Sequence, residues 1–303
     1  MTALLNPFAR PGRWFRGVFH CHTTNSDGAR SVESVTSWYT ERGYDFVSIT
    51  DHNQLTPVPR PRGDRAMLVP GTEVDVGRAQ AGQSFHIVGI GLREMIDVPH
   101  DVAARHRLPP QAVVDALRRA GAVVFVAHPY WSGLVADDLL PLEGIAGIEV
   151  FNSNTEADIG KGYSGVHWDD CLIRGKLLLG AANDDAHWRL QDHGQAWTML
   201  RAEALTSESV VLGLQSGAFY ASTGAALEDV TFNGAAVTVR VGAPGASEVK
   251  FICDHRWGHR VAAGGAPLET ATYALRGREK YVRVEVTTPS GGRAWTNPLF
   301  LER

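Results

Sequence analysis

Short apolar runs alternate with stretches of helical period from residue 16 to about residue 202. Several of the runs are continuously apolar, as expected for parallel strands that are buried on both faces. A polar cluster follows each run, and several are followed in turn by apolar residues three or four positions apart. This order predicts repeated strand–helix units and an α/β fold. The predicted strands are residues 17–19, 46–49, 67–69, 123–126, 148–151, 177–180 and 197–200.

Three of the intervening stretches carry the start and stop signals of helices. Ser31 is a suitable N-cap for the first helix, and Gly43 is a suitable stop. The second predicted helix begins at Pro110, because proline is favoured at the first helical position, and it ends at Gly121. A third helix is predicted within residues 207–217.

The pattern changes after about residue 225. Alternating apolar and polar segments, such as residues 237–241 and 281–286, are separated there by Gly, Pro and Ser. This is typical of short antiparallel strands. We therefore predict two domains, an α/β domain over residues 1–224 and a small antiparallel, sandwich-like β module over residues 225–303.

Composition narrows the function classes. The chain has 303 residues and a formal net charge of −4, so it has no excess positive charge for a nucleic-acid backbone. No apolar stretch approaches the roughly 20 residues of a membrane helix, and residues 1–14 lack the apolar core of a signal peptide. Three widely spaced cysteines do not suggest a disulfide framework. We predict a cytoplasmic protein with no nucleic-acid or membrane partner.

Candidate metal ligands begin directly after the first predicted strand. His20 and His22 are two positions apart, and alternate residues of a strand point to the same side. Both imidazoles can therefore bind one metal ion. Asp27 adds a carboxylate in a Ser-Asp-Gly turn. Alone, a His-x-His pair is weak evidence, because two histidines on a strand are more often polar surface residues.

Similar residues recur after nearly every predicted strand. In a barrel of strand–helix units, the carboxyl ends of successive parallel strands lie on one face, where active sites are found. Packing does not require His, Asp or Glu at these ends, so the recurrence favours a shared site over a set of solvated loop residues. The recurring residues are Asp51, His52, Glu73, His128, Asn152, Asp185 and His187.

Six short motifs occur in a fixed order: GVFHCHTTNSDG at residues 17–28, DFVSITDHN at 45–53, GTE at 71–73, HIVG at 86–89, AHP at 127–129 and DAH at 185–187. In this order they resemble the PHP (polymerase and histidinol phosphatase) superfamily of metal-dependent phosphoesterases. The resemblance covers about residues 17–202. Residues from 224 onward, with AWTNP at 294–298, look similar to the CehA/McbA-like branch, which includes carbaryl hydrolases.

The resemblance implies a distorted (β/α)7 barrel, similar to a TIM barrel, around two or three divalent metal ions. His86 is the one ligand that the strand argument does not find, because it begins an apolar run instead of following one. Mixed nitrogen and oxygen ligands suit zinc, manganese or iron without selecting among them. The resemblance assigns the first metal to His20, His22, Glu73 and Asp185, the second to Glu73, His86 and His128, and the third to Asp27, His52 and His187.

Two close cations that share Glu73 would lower the pKa of a bridging water and stabilise negative charge on an attacked phosphoryl or carbonyl oxygen. The leading prediction is therefore a hydrolase that cleaves a phosphoester of a small-molecule substrate with a metal-bridging hydroxide. The alternative is a carbamate or carboxyl-ester hydrolase of the carbaryl-hydrolase type, which an aromatic pocket without a positioned Arg would favour. A non-catalytic, metal-binding accessory domain is the second alternative. Edge strands of the β module offer a surface for a homo-oligomer.

Four further residues are candidates for contact with the substrate. His193 is a candidate proton donor to a leaving group, although a surface histidine is the more frequent case. Asn152 could orient a ligand or the substrate, or cap a loop. Arg189 and Lys161 could bind an anionic substrate, although loop cations are usually solvated. No metal role is predicted for His100, His106, His255 and His259.

Overall fold

A computed structural model describes residues 6–58, 65–254, 256 and 258–301. In these residues one mixed sheet contains fourteen strands and a second contains three. The strands are β1 (Arg13–Val18), β2 (Phe46–Ile49), β3 (Met67–Val76), β4 (Phe85–Ile90), β5 (Val123–Val126), β6 (Gly147–Asn152), β7 (Leu179–Asn183), β8 (Trp197–Ala202), β9 (Phe219–Ser222), β10 (Leu227–Phe232), β11 (Ala236–Val241), β12 (Glu248–Cys253), β13 (Gly258–Ala262), β14 (Thr270–Ala274), β15 (Tyr281–Thr287), β16 (Arg293–Thr296) and β17 (Leu299–Phe300).

The helices lie mainly in the first two thirds of the chain. They are a 3-10 helix (Pro7–Ala9) and α1 (Val32–Glu41), α2 (Val102–Arg105), α3 (Pro110–Arg119), α4 (Ala136–Leu139), α5 (Ser153–Ile159), α6 (Gly165–Ile173) and α7 (Ser207–Ser216). The three helices predicted from the sequence are present. The Ser31 side chain accepts a hydrogen bond from the Ser34 amide and caps α1, and α3 begins at Pro110.

The half of the large sheet that carries the predicted ligands follows the order β8-β1-β2-β3-β4-β5-β6-β7. Strands β1, β2 and β3 are parallel, and so are β5, β6 and β7. Between these two sets, β4 is antiparallel to both β3 and β5. The expected α/β architecture is thus observed, with one hairpin inserted into the parallel order.

A closed (β/α)7 barrel is not confirmed. Strands β7 and β1 are not hydrogen-bonded neighbours, so the strand order is an open path. Just beyond β1 and β7, Cys21 and Ala186 form a single parallel bridge. There the Asp185 amide donates to the His20 carbonyl oxygen at 3.0 Å. The β3–β4 hairpin also replaces one strand–helix unit, because no described helix lies between these two strands.

The C-terminal β strands continue the same large sheet. Strand β16 pairs with β9, and β15 and β12 follow it, while β10, β11 and β14 form the smaller sheet. Tyr281 and Trp295 belong to a buried cluster that is otherwise formed by residues before position 225. The division into domains at residue 224 remains a prediction, and the β9–β16 pairing crosses that position.

Two further expectations concern the environment of the chain. Among the described residues, no helix has the length and hydropathy that crossing a membrane requires. Cys21, Cys171 and Cys253 are free and buried. Burial raises the pKa of the Cys21 thiol well above its ordinary value, which suits a packing role and opposes a role as nucleophile.

Candidate metal centre

The nine predicted ligands lie at one edge of the large sheet. Most follow the carboxyl ends of parallel strands, as the sequence predicts. Glu73 lies inside β3, which is longer than expected and runs to Val76. His86 is the second residue of β4, and because β4 runs antiparallel to β3, its start lies at the same edge as the end of β3.

Four donor atoms surround one point at the centre of this edge. The Nε2 atoms of His20 and His22 are 3.2 Å apart. Each lies 3.2–3.3 Å from Glu73 Oε2 and 3.0–3.1 Å from Asp185 Oδ1. Ligands about 2.0–2.1 Å from one tetrahedral ion are roughly 3.3 Å from each other. The four atoms therefore have the mutual spacing of ligands to a single cation.

The other oxygen of Glu73 faces a second group of histidines. Glu73 Oε1 lies 2.8 Å from His86 Nδ1 and 3.3 Å from His128 Nε2. His52 approaches Glu73 from a third direction, with its Nδ1 atom 3.1 Å from Oε2. Glu73 is thus placed to bridge two metal ions, as the resemblance implies.

Asp27 lies at the more exposed end of the cluster. Its Oδ2 atom is 3.3 Å from His187 Nε2 and 3.5 Å from His52 Nε2, and its Oδ1 atom is 3.5 Å from His22 Nδ1. The side chain of Asp27 is 47% exposed, whereas that of Glu73 is 1% exposed. This third group is therefore the one most open to solvent.

The donor set fits divalent metal ions. Three groups of His, Asp and Glu side chains have donor atoms close enough to hold an ion, namely His20, His22, Glu73 and Asp185; His52, Glu73 and His86; and His22, Asp27, His52 and His187. Asp185 Oδ1 and His52 Nδ1 are buried without a hydrogen-bond partner. Buried polar atoms normally have partners, so a cation would satisfy both. The ligand roles of the individual residues remain predictions.

Opposing effects set the protonation of the exposed group in the metal-free protein. Burial lowers the pKa of His52, but Glu73 and Asp27 outweigh it and raise that pKa to about 9. Burial also lowers the pKa of His187, and the carboxylates of Asp27 and Asp185 raise it to about 9. Both imidazoles therefore carry a second proton, and with it a positive charge, at neutral pH when no metal is present.

The buried carboxylates remain ionised. Burial raises the pKa values of Glu73 and Asp185, but neighbouring histidines, His20 foremost, bring both below their ordinary values. Burial lowers the pKa of His86 despite its contact with Glu73. Ionised carboxylates and neutral imidazoles are the forms that bind metals, so the carboxylates are ready and some of the histidines must first lose a proton.

Glu149 is a residue of this site that the sequence argument missed. It lies inside β6, is 1% exposed, and its Oε1 atom lies 2.8 Å from His20 Nδ1. Its other oxygen accepts a hydrogen bond from the His128 amide at 3.0 Å. A charged residue within the otherwise apolar run IEVF was the signal that could have revealed it, since an ionised side chain is rarely buried without partners.

Three other buried aspartates hold the loops that carry ligands. Asp51 accepts hydrogen bonds from Thr23 and Ser26, in the loop before Asp27. Asp184 accepts hydrogen bonds from three consecutive backbone amides, those of residues 194–196. Asp192 accepts the His187 amide, so the loop after β7 is held at both of its ends.

The four residues predicted to contact substrate are placed differently. Asn152 is buried and donates to Glu149 at 2.7 Å and to Asp185 at 3.1 Å. Lys161 lies over the ring of Tyr130, with Nζ 5.3 Å from the ring centroid. His193 has its Nδ1 atom 3.1 Å from Asp192 Oδ1. Arg189 is exposed.

Of the four histidines for which no metal role is predicted, the three that the structure describes lie outside the three donor groups. His106 contacts Asp75 at 3.0 Å, His100 is exposed, and His259 stacks on Tyr273. His255 lies outside the described residues.

A cavity of about 220 Å³ opens onto the donor cluster. Trp131 forms one wall and contacts the rings of His86 and His128 with centroid distances of 5.8 and 5.1 Å. Asn154 and Thr155, at the start of α5, form another wall. The described residues that line the cavity include no Arg or Lys, so positive charge there would come from bound metal ions or from protonated histidines.

Comparisons with known proteins find limited similarity. The chain matches no protein-family model. Over 79 residues it is 32% identical to phosphoribosyl 1,2-cyclic phosphate 1,2-diphosphodiesterase of Eggerthella lenta, a stretch that covers 25% of this chain and 30% of that protein. The chain thus aligns with less than a third of the length of this relative.

Two solved structures share part of the architecture. One is a two-domain protein from Bacteroides vulgatus that contains a predicted PHP-like metal-dependent phosphoesterase, with a TM-score of 0.49, 18% identity, and 97% of this chain and 98% of that chain covered. A metal-dependent phosphoesterase candidate from Bifidobacterium adolescentis has a TM-score of 0.44 and 16% identity, with 66% of this chain and 96% of that chain covered. The CehA/McbA-like branch remains a prediction.

Proposed function

We propose that this protein is a metal-dependent phosphoesterase of the PHP type that hydrolyses a phosphate ester of a small molecule. The arrangement around Glu73 carries the proposal. One of its oxygens completes the four-atom group with His20 and His22, and the other faces His86 and His128 at 2.8 and 3.3 Å. The local similarity to a phosphodiesterase over 79 residues supports the choice of a phosphoester.

Bound zinc, manganese or iron would supply an activated water and stabilise negative charge on the attacked group. The residues that would hold the ions are those of the three predicted sets. The chain itself keeps most of the donors in a buried environment, where electrostatic interactions are stronger than in water. The cavity beside them is of a size for a phosphoryl group and a small part of its leaving group.

We also propose that four further residues contact a metal ligand or the substrate. They are Asn152, Lys161, Arg189 and His193. Asn152 touches Asp185, so we propose that it orients this ligand. The Lys161 amide donates a hydrogen bond to the carbonyl oxygen of the cavity-wall residue Thr155 at 3.1 Å, and we propose that the Lys161 side chain binds a distal anionic group of the substrate. Arg189 and His193 do not line the cavity, and their roles with the substrate and the leaving group stay proposals.

A neutral carbamate or carboxyl ester is the second candidate substrate. Its support is the cavity wall formed by Trp131, together with the absence of Arg and Lys among the described lining residues. An aromatic wall favours an apolar substrate group, whereas a phosphate site normally includes a cationic side chain when no metal supplies the charge.

One parallel assay tests both candidates. Wild-type protein loaded with Mn²⁺ or Zn²⁺ is given p-nitrophenyl phosphate and an aryl N-methylcarbamate, and each rate is compared with that of the His128→Ala variant. Phosphate turnover that disappears in the variant is the expected result. Carbamate turnover alone would support the second candidate. Metal binding without turnover of either substrate would contradict both and support the non-catalytic accessory role.

The cytoplasmic location and a homo-oligomer through the edge strands of the β module also stay proposals. Free, buried cysteines support the location, because such thiols persist in a reducing compartment. The edge strand β13 has a single strand neighbour in the described sheet, and unpaired strand edges are surfaces on which second copies can pair.

A further inference from the structure

Glu149 is not a predicted ligand, yet its side chain has four hydrogen-bond partners, as many as the side chains of Asp51 and Asp184 have. Its Oε1 atom accepts from His20 Nδ1 at 2.8 Å and from Asn183 Nδ2 at 3.1 Å. Its Oε2 atom accepts from the His128 amide at 3.0 Å and from Asn152 Nδ2 at 2.7 Å. The His128 amide and the NH₂ groups of Asn152 and Asn183 can only donate, so Glu149 is surrounded by donors that a carboxylate accepts.

The contact with His20 fixes which nitrogen of that ring is free. A neutral imidazole carries one proton, and the carboxylate of Glu149 holds that proton on Nδ1. The lone pair then lies on Nε2, the atom that faces Glu73 Oε2 and Asp185 Oδ1 at 3.3 and 3.1 Å. Glu149 therefore selects the tautomer of His20 that can bind a metal.

The contact of Glu149 with His128 stabilises an unfavourable backbone conformation of His128. His128 has a φ angle of +28°, and a non-glycine residue with positive φ is costly unless its surroundings fix it. The hydrogen bond from its amide to Glu149 is one such restraint. This hydrogen bond helps to fix the direction of the His128 side chain, whose Nε2 atom lies 3.3 Å from Glu73 Oε1.

The contact with Asn152 extends this control to a third ligand. The Asn152 amide group donates both to Glu149 and to Asp185 Oδ2. This leaves Asp185 Oδ1, the atom without a hydrogen-bond partner, turned toward His20 and His22. One carboxylate therefore touches His20 and His128 directly and Asp185 through a single amide.

We propose that Glu149 is the positioning residue of the metal centre, which orients His20, His128 and Asp185 together without itself binding a metal ion. The inference rests on the proposed metal-binding function and adds a residue to it. Substitution of a group that orients metal ligands typically lowers metal affinity by about 10–100-fold.

The Glu149→Gln variant tests the proposal with nearly the same shape. Glutamine presents one oxygen and one NH₂ group, so two of the four donors would meet another donor whichever way the amide turns. We expect Co²⁺ or Zn²⁺ to bind the variant about 10–100-fold more weakly in competition with a chelating dye. We also expect the visible absorption of bound Co²⁺, which reports ligand geometry, to change.

The matched control is Glu279→Gln in the β module. Glu279 is also a buried glutamate, and it accepts hydrogen bonds from Tyr273 and from the amides of Arg276 and Arg278. It lies in none of the donor groups. If the loss of any buried carboxylate weakened metal binding through the fold, both variants would show it, and the proposal would be overturned.

Far-UV circular dichroism checks that each variant is folded. If Glu149→Gln does not fold, Glu149→Asp carries the test, since it keeps the charge but withdraws it by one methylene group from His20. Weaker metal binding by the folded variant supports the proposal, and wild-type affinity with an unchanged Co²⁺ spectrum overturns it. Absence of metal binding by the wild-type protein would instead overturn the proposed function, and this inference with it.

Discussion

At the scale of single residues, Glu73 connects the donor groups, since its two oxygens face different histidines. Glu73→Gln replaces one of these oxygens by an NH₂ group that cannot bind a cation. We expect the variant to retain fewer metal ions than the wild-type protein and to lose at least about 100-fold in activity, because metal binding and activation share this residue. Elemental analysis of the purified protein gives the metal count.

Glu94→Gln is the control for this experiment, since Glu94 is exposed and lies outside the donor groups. It should leave metal content and rate unchanged. An unchanged metal count in Glu73→Gln would contradict the bridging position of this carboxylate.

The protonation of His52 and His187 predicts a pH dependence of metal binding. Both have a pKa raised to about 9 in the metal-free protein, and both must lose their protons to act as ligands. Metal affinity should therefore rise with pH between 6 and 9 and level off above that range. Calorimetric titrations in buffers of different ionisation enthalpy should show at least two protons released at pH 7, because the pKa of the predicted ligand His20 is raised as well. Binding that releases no protons at pH 7 would contradict these assignments.

The residues predicted from the sequence were those with a chemical reason to follow a strand. His20, His22 and Asp185 were found in this way, because neither packing nor capping explains such residues at those positions. Glu149 was missed because it lies within a strand, where its role depends on partners that are distant in sequence. Asn183 and His20, for example, are 34 and 129 positions away from it.

At the scale of elements, the loop after β1 depends on a carboxylate from the end of β2. Asp51 accepts hydrogen bonds from the Thr23 amide, the Thr23 hydroxyl and Ser26 at 2.6–2.8 Å, and from Thr56. Asp51→Asn removes acceptors that these buried donors need, at a cost of about 1–3 kcal/mol. We expect loss of the ion held by the exposed Asp27 group before loss of the central ion, measured by metal titration.

Ser26→Ala is the milder comparison for this loop, because it removes one of these donors and leaves the carboxylate in place. Ser26→Ala should lower the metal affinity of the exposed Asp27 group less than Asp51→Asn does. Equal and unchanged affinities in both variants would show that the loop does not need this support.

The limits of prediction at this scale follow from strand direction. Helix α1 was predicted because its cap is local to Ser31. His86 did not fit the strand argument, because β4 runs opposite to its neighbours and brings its first residues, not its last, to the ligand edge. No local signal marks that reversal. The regular (β/α)7 order that the resemblance implies does not include this antiparallel insert.

At the scale of the whole molecule, Asn297 joins the C-terminal strands to the first part of the chain. Its side chain accepts from the Gly180 amide at 3.0 Å and donates to the carbonyl oxygens of Gly217 and Phe219. Asn297→Ala leaves buried backbone groups without partners and should lower the free energy of unfolding by about 1–3 kcal/mol. Urea unfolding, with exposed Asn233→Ala as the control, measures this change.

A single unfolding transition is expected, because β9 and β16 pair within one sheet. Two separate transitions, with the β module unfolding first and Asn297→Ala changing neither, would support the two independent domains predicted from the sequence. The sequence suggested that boundary because the pattern of apolar residues changes near residue 225. The sequence contains no comparable signal that strands on the two sides of residue 225 pair with each other, since this pairing joins positions as far apart as Ala221 and Trp295.

The charge of the donor cluster has a consequence for the choice of substrate. Its carboxylates are Asp27, Glu73 and Asp185, which together carry −3. In the metal-free protein the protonated His52 and His187 offset part of this charge, whereas three divalent ions with neutral imidazoles would bring it to +3. Because no lysine or arginine is among the described residues that line the cavity, the number of bound ions sets the sign of the local electrostatic potential. A full centre would attract a phosphate, and loss of ions would weaken that attraction. Metal supply would then change the preference between a phosphate and a neutral ester for one unchanged chain.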